Sequence, residues 1–359
     1  MICCTKCFKD PEIKAIIEGI GKKVESECDT CGKRNGYIYD TEENDELVDS
    51  FNGLLEIYTP ESQLPDDFPM EKKYLLKNEL DDRWNIFNIE KDKIYPLVKN
   101  ICAEKYNETS DLFNTPISIL VLNESDYLES NSLLKTNDWK SFVKEIKYHN
   151  RFNTNFINTN VLDIFCDYVK VSYKKEQTFY RARISQQEEG FSINEMGCPP
   201  IGKASDGRAN PLGISYLYLS NNIDTTIHEI RAGTHDYITV GTFRLKRDIE
   251  LIDFITLDKI SPFSEIGLEQ HAVNKEHLRK ISDEIAKPLR RGDSVLDYLP
   301  TQYISDYLKS KGHEGIRYKS TMNPEGFNIA IFNPELFECI DVQVYDIKEV
   351  IHRKEKVVE

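Results

Sequence analysis

Residues 207–229 read GRANPLGISYLYLSNNIDTTIHE, and the rest of the chain is arranged around them. A Gly-Arg turn and a Pro-Leu-Gly break come first. The β-prone run Ile214–Leu219 follows. Ser220, Asn221, Asn222 and Asp224 come next, residue types whose side chains cap helix N-termini. Ile223, Ile227 and Ile230 then share one side of a helical pattern. The pattern predicts strand, tight turn, helix, with Glu229 about two turns into the helix. A lone Glu on a helix ordinarily faces water. This one is flanked by His228 and Arg231 and lies beside an apolar stripe.

Upstream, Thr178–Ile184 (TFYRARI) is a predicted strand. Side chains alternate along a strand, so Arg181 and Arg183 share one face and Tyr180 takes the other. Residues 192–208 are polar, suited to a loop over a ligand. Downstream, Tyr237–Leu245 and Glu250–Ile255 are predicted strands. Residues 272–291 form a charge-laced helical segment, expected to be a solvated face without chemistry. Tyr303–Lys311 is a predicted helix stopped by Gly312, with Gln302 at its start. Gly315–Ser320 and Phe327–Phe332 are predicted core strands around the turn Asn323-Pro324-Glu325-Gly326. Ser320 ends the first. No acidic or histidine partner is near it in sequence, so it is not read as a serine-hydrolase nucleophile.

Arg181 in TFYRAR, Arg208 in GRANPLG, Tyr218 in YLYLS, Glu229 in TTIHEI and Ser320 in GIRYKS stand in one ordered set, which ends in GFNIAIF. Over Thr178–Val344 this set resembles the RES domain, a family named for its Arg, Glu and Ser. No single piece is specific; the order and spacing carry the resemblance. It implies an ADP-ribosyltransferase-like mixed β core. It also implies NAD⁺ degradation by toxins of RES–Xre toxin–antitoxin pairs, which cleave the nicotinamide–ribose bond, some with phosphate as acceptor. Arg181, Arg208, Glu229 and Ser320 are the catalytic residues so implied. Tyr180, Arg183, Tyr218, Gln302 and Tyr318 are the substrate-binding ones. Ala209 departs from the family's commoner Arg-Trp-Asn and removes an aromatic ring there.

The residue types suit that chemistry. A planar guanidinium binds pyrophosphate bidentately. A carboxylate stabilises positive charge developing at the sugar carbon, and an aromatic ring stacks on a pyridinium. There is no Gly-rich Rossmann fingerprint, and NAD⁺ as a substrate does not need one. The expected function is an NAD⁺ phosphorylase or glycohydrolase acting as a toxin or defence effector. The expected partners are NAD⁺, inorganic phosphate and an antitoxin or other inhibitory protein; a homo-oligomer is left open. An ADP-ribosyltransferase acting on a protein is the second reading, and a non-catalytic zinc-containing interaction protein the third.

The N-terminal half has its own signal. Five of nine cysteines lie in the first 31 residues, and Cys4-Thr-Lys-Cys7 and Cys28-Asp-Thr-Cys31 form two CxxC pairs. Such pairs suit one structural Zn²⁺ held by Cys4, Cys7, Cys28 and Cys31, with Gly32 easing the second turn and Cys3 a competitor for Cys4. Helices are predicted over Pro11–Gly21, residues 41–58, Glu71–Ile89, Lys93–Tyr106, Trp139–Tyr148 and Val161–Tyr173, and a strand over Ile117–Asn123. This half resembles the HEPN/RES N-terminal region. HEPN ribonucleases share an Arg-x4–6-His motif; the nearest pair here, Arg231 and His235, is one residue too close.

The expected class is α+β. A zinc-ribbon-like Cys4 module with a helix occupies 1–57, a mostly helical region 58–175, the RES catalytic domain 176–345 and a charged tail 346–359. A net charge of −15 argues against a general nucleic-acid coat, which needs cationic surface to neutralise phosphate. No run of about twenty apolar residues spans a membrane and no apolar leader opens the chain, so the cytoplasm is the expected compartment.

Overall fold

The structure, a computed structural model, describes residues 1–24, 27–34, 36–200, 202–287 and 294–351. The end of the expected tail, 352–359, and residues 288–291 of the expected 272–291 helix lie outside them. The chain divides into two compact units: Met1–Thr136 with Ile260–Lys275, and Asn137–Lys259 with Glu276–Glu359.

In the first unit, Ile2–Cys4 and Lys23–Val24 flank Gly36–Asp40 in a three-stranded antiparallel sheet. The helix Pro11–Ile20 is written into its ends. Asp10 accepts from the amides of Glu12 and Ile13 at 3.0 and 3.1 Å, Pro11 sits in the first turn, and Gly21 closes the helix at φ +76°. The helix buries Ile13 and Ile17. Val48–Glu56 adds Phe51, Leu54 and Leu55 to the core, and Lys91–Ile101 adds Ile94, Leu97 and Val98. Each such side chain contributes about 1.5–3 kcal/mol when fully buried.

Two expectations fail here. Tyr74 and Ile117 form an antiparallel bridge, with N–H···O distances of 2.9 and 2.8 Å. Extended backbone at Tyr74 breaks the helix expected over Glu71–Ile89. What remains is the short helix Leu76–Asn78 and a π-helical turn, Glu79–Arg83. The expected strand Ile117–Asn123 shrinks to Ile117–Ser118, paired with Thr59–Pro60, and Leu120–Asn123 winds as a 3₁₀ turn.

The second unit is built on a mixed eight-stranded sheet. Its order is Phe337–Asp346, Tyr237–Leu245, Thr178–Ser185, Leu217–Ser220, Phe327–Ile331, Gly315–Lys319, Ile249–Asp253 and Lys170–Tyr173. Gly315–Lys319 and Ile249–Asp253 run parallel, and every other neighbouring pair is antiparallel. Phe179, Leu217, Leu219, Phe243, Leu251, Ile329 and Ile331 form one face of the core. The expected helix Val161–Tyr173 stops at Tyr168. Lys170–Tyr173 instead pairs as an edge strand with Ile249–Ile252 and buries Tyr173. The expected solvated segment is also corrected. Within the helix Leu268–Ala286, the segment exposes Glu276, Arg279 and Asp283 but buries Asn274, Lys275, Leu278, Ile281 and Ile285. No helix among the described residues is long and apolar enough to cross a membrane.

One irregularity of the sheet makes room for a site. Thr178–Ser185 pairs with Tyr237–Leu245 over its full length, yet meets Leu217–Ser220 at a single residue pair, Tyr180 with Ser220. Beyond that pair the strands separate. The Ala182 N–H, left without a strand partner, donates to Thr226 Oγ1 at 2.9 Å. Thr226 belongs to the helix Ile223–Glu229, which fills the opening from one side.

Candidate active site and metal centre

A cavity of about 530 Å³ lies where the strands separate. Arg181 and Ala182 line it from one strand, Tyr218, Leu219 and Ser220 from the next, and Tyr318 and Asn328 from the two beyond. Glu229 closes it from the helix, and Gly207 and Arg208 from the loop between. The helix is short because both ends are fixed. Asn222 Oδ1 accepts from the Thr225 amide at 2.8 Å, and Arg231, just past the end, has a left-handed backbone at φ +53°. The reading of 207–229 as strand, turn and helix is what the structure contains, with the strand at Leu217–Ser220.

Glu229 is half-buried. Its Oε1 accepts from Ser320 Oγ at 2.6 Å and from Asn328 Nδ2 at 2.8 Å. The partner that Ser320 lacks in sequence is therefore Glu229, ninety-one positions away. That bond uses the proton the serine would offer a ligand, and Ser320 stands fully buried behind the carboxylate.

The arginines differ in state. Arg181 Nε is buried without a hydrogen-bond partner among the described residues. Burial, and then the nearby Arg183 charge, push the Arg181 guanidinium below its ordinary pKa. Such a group gains by meeting an anion. Arg208 is held by the last turn of the Leu268–Ala286 helix, its Nη1 donating to the carbonyls of Ile285 and Ala286 at 3.2 and 2.6 Å. Its guanidinium carbon lies 5.7 Å from the Tyr318 ring centre. Arg231 also lines the cavity, so three cations face one carboxylate in a chain of net charge −15.

Tyr218 and Gln302 shape the loop under Arg208. The Tyr218 hydroxyl donates to Asn210 Oδ1 at 2.7 Å and accepts from the Ala209 amide at 3.1 Å. Burial pushes its phenol up to about 12. Gln302 Nε2 donates to the carbonyls of Gly207 and Asn210 at 2.8 and 3.0 Å. Gln302 is thus brought to the loop and not to the cavity wall. Tyr180 and Arg183 also lie off the wall: Tyr180 packs against Ala182, Ile238 and Val240, and Arg183 stacks 4.0 Å from the Phe191 ring centre and donates to the Glu195 carbonyl. Ser220, Thr226, Arg231, Tyr298 and Asn328 line the cavity without having been singled out by sequence. Asn328, within the quoted GFNIAIF, carried the nearest signal: a buried polar position in an otherwise apolar strand needs a partner.

A Cβ on Gly207 would lie 2.3 Å from Asn210 Oδ1 and 2.7 Å from the Tyr218 hydroxyl, the two ends of one hydrogen bond. Gly207→Ala is therefore expected to lower stability by about 1–3 kcal/mol through overpacking. Chemical denaturation with an unchanged slope checks this, and a wild-type midpoint would contradict it.

In the first unit, the Sγ atoms of Cys4, Cys7, Cys28 and Cys31 all lie within 4.8 Å of one another. Cys4–Cys7, Cys4–Cys31 and Cys7–Cys28 are 3.9, 3.6 and 3.6 Å apart. The edge of a zinc–thiolate tetrahedron is about 3.8 Å, so the four sulfurs fit a metal. Gly32 supplies the turn at φ +68°, its N–H 2.8 Å from the Cys28 carbonyl. Cys3 is buried outside this group.

Comparison with known proteins gives three findings. The family model described as RES domain matches residues 178–349. A chain of the crystal structure of the M. tuberculosis MbcT-MbcA toxin-antitoxin complex is similar at 14% identity and a TM-score of 0.32, over 51% of this chain and 91% of that chain. No curated protein matches. Arg181, Glu229, Ser320 and the cavity all lie within residues 178–349, the part of the chain that the RES domain model matches.

Proposed function

We propose that the RES domain binds NAD⁺ in this cavity and cleaves its nicotinamide–ribose bond, and that the protein is an NAD⁺-depleting toxin. The observation that carries this is the separation of charges on the wall. A tethered carboxylate, Glu229, and a cation with an unpartnered buried nitrogen, Arg181, share one cavity. No ion pair joins Glu229 to Arg181 or Arg208 among the described residues. Cations and carboxylates that line one cavity often pair directly with one another. Here Arg181 Nε is left for a dianionic pyrophosphate and Glu229 for a developing sugar cation.

In this reading Arg181 and Arg208 take the pyrophosphate, and the Tyr218 and Tyr318 rings pack beside the bound molecule. Glu229 stabilises the oxocarbenium-like sugar as the bond from C1′ to the nicotinamide nitrogen breaks. The electron pair leaves with neutral nicotinamide, so no general acid is needed. A phosphate oxygen then bonds to C1′, or a water does so and releases one proton to solvent. We extend the proposal to the fold: the separated sheet with a short helix in the gap is an ADP-ribosyltransferase-like core. An inhibitory protein partner is part of the reading, because unrestrained NAD⁺ loss would harm the host cell.

The test is NAD⁺ consumption by the purified full chain, with and without inorganic phosphate. The expected result is loss of NAD⁺ with release of nicotinamide, and the phosphate dependence names the acceptor. Arg181→Met removes the charge yet keeps bulk, and is expected to raise the KM for NAD⁺ by about tenfold or more, the worth of one charge-assisted bond. An unchanged KM removes Arg181 from the pyrophosphate.

A further inference from the structure

Glu229 has two oxygens, and the fold treats them differently. Ser320 and Asn328 both donate to Oε1; among the described residues no group donates to Oε2. Neither donor is free to reverse. Ser220 Oγ donates to Asn328 Oδ1 at 2.7 Å. A flipped amide would set its oxygen against the carboxylate oxygen, and that repulsion fixes the orientation; the Ser220 hydroxyl, which can donate or accept, ties the amide down. Ser320 Oγ accepts from the amides of Met322 and Asn323 at 3.2 and 3.1 Å, which leaves its one proton for Glu229. Ser220, Ser320 and Asn328 are all buried.

The turn after Ser320 is clipped to the helix that carries Glu229. Asn323 Nδ2 donates to Thr225 Oγ1 at 2.9 Å. A Cβ on Gly326 would fall 2.0 Å from the same oxygen. Strand, turn and helix therefore fix one carboxylate oxygen from two sides.

We propose that Asn328, oriented by Ser220, is a positioning residue: with Ser320 it holds Oε1 of Glu229, so that Oε2 is the oxygen presented to the sugar of the bound dinucleotide. The inference rests on the NAD⁺ reading of the cavity. Both partners of Oε1 are donors, so the arrangement serves a carboxylate that accepts and stabilises rather than one that gives up a proton. It also assigns Ser320 a role through Glu229 instead of on the substrate.

Asn328→Asp tests this in the full chain. The introduced carboxyl, when protonated, donates to Oε1 as the amide did; when ionised it repels Oε1, and two carboxylates this close share a proton. The variant is therefore expected to work at low pH and to lose kcat as pH rises. At neutral pH the loss is about a hundredfold, the cost of a misplaced catalytic group, with KM within about twofold because Oε1 does not touch substrate. Arg181, Arg208, Arg231, Tyr218, Tyr298 and Tyr318 also face this cavity. His228, beside Glu229 on the helix, is exposed.

Should a buried aspartate prevent folding, Ser220→Ala leaves Asn328 in place but frees its amide. It is expected to lower kcat by about tenfold, the scale of one hydrogen bond, again with KM held. A wild-type kcat and pH profile in both variants, or a change in KM alone, overturns the positioning role. The control is Glu229→Gln: if it matches wild type, the reading of the cavity has failed instead. A wild-type chain inert toward NAD⁺ overturns both.

Discussion

Glu229→Gln is expected to reduce NAD⁺ cleavage by about a thousandfold or more, the scale seen when a preorganised electrostatic group is removed. The substitution isolates charge from structure. A glutamine in the same rotamer keeps its Oε1 under Ser320 and Asn328, so both buried donors remain satisfied. Only the outward oxygen changes, to an NH₂ that donates where a carboxylate accepted. Glu229→Ala is the poorer experiment. It would strand two buried donors at about 1–3 kcal/mol each, and lost activity would be confounded with lost fold. The measurement is kcat for nicotinamide release, beside a melting curve. A Gln variant with the melt of wild type and more than about a tenth of its rate would remove the developing-charge role from Glu229.

The part of this site legible in sequence is the part that local pattern controls. Asn222, Thr225 and Glu229 are placed by one strand–turn–helix unit, and an N-cap with an apolar stripe is a short-range signal. Arg181 follows from strand alternation in the same way. Which residues meet across the sheet is a different kind of information. Ser320 and Asn328 reach Glu229 from 91 and 99 positions away. Nothing local separates Gln302, which pins a loop, from a residue on the cavity wall. Arg183 shows the limit of alternation itself. It belongs to the same face as Arg181, yet the Phe191 ring and the Glu195 carbonyl draw its long side chain elsewhere. The helix Leu268–Ala286 misled for a related reason. Lys275 and Asn274 look solvated in a charge-rich stretch, but tertiary contacts bury both. The bridge between Tyr74 and Ile117 overrode a helical pattern, as long-range pairing does when propensities are weak.

Removal of a metal from the four-cysteine site is expected to have the second large effect. Cys4, Cys7 and Cys28 are buried and Cys31 half-buried, and the small sheet around them packs on the core of the first unit through Cys3, Ile38 and Tyr39. Its strands are three, two and five residues long. Strands this short share few ladder hydrogen bonds. Structural zinc sites are worth about 10–16 kcal/mol in apparent binding free energy, whereas a whole domain is stable by only about 5–15 kcal/mol. Loss of the ion should therefore exceed what the local packing of Ile13, Ile17 and Tyr39 supplies. Purified protein is expected to carry one zinc per chain by elemental analysis. Treatment with a strong chelator, or Cys28→Ser, should open Ile2–Cys4 and Gly36–Asp40 to amide hydrogen exchange by orders of magnitude. Cys3→Ser separates the metal from a general need for sulfur. Cys3 is just as buried but lies outside the four-sulfur group, so this variant should keep its zinc and its slow exchange at Gly36–Asp40. Equal exchange with and without chelator, in protein shown to have held zinc, would mean that the ion binds without organising the sheet.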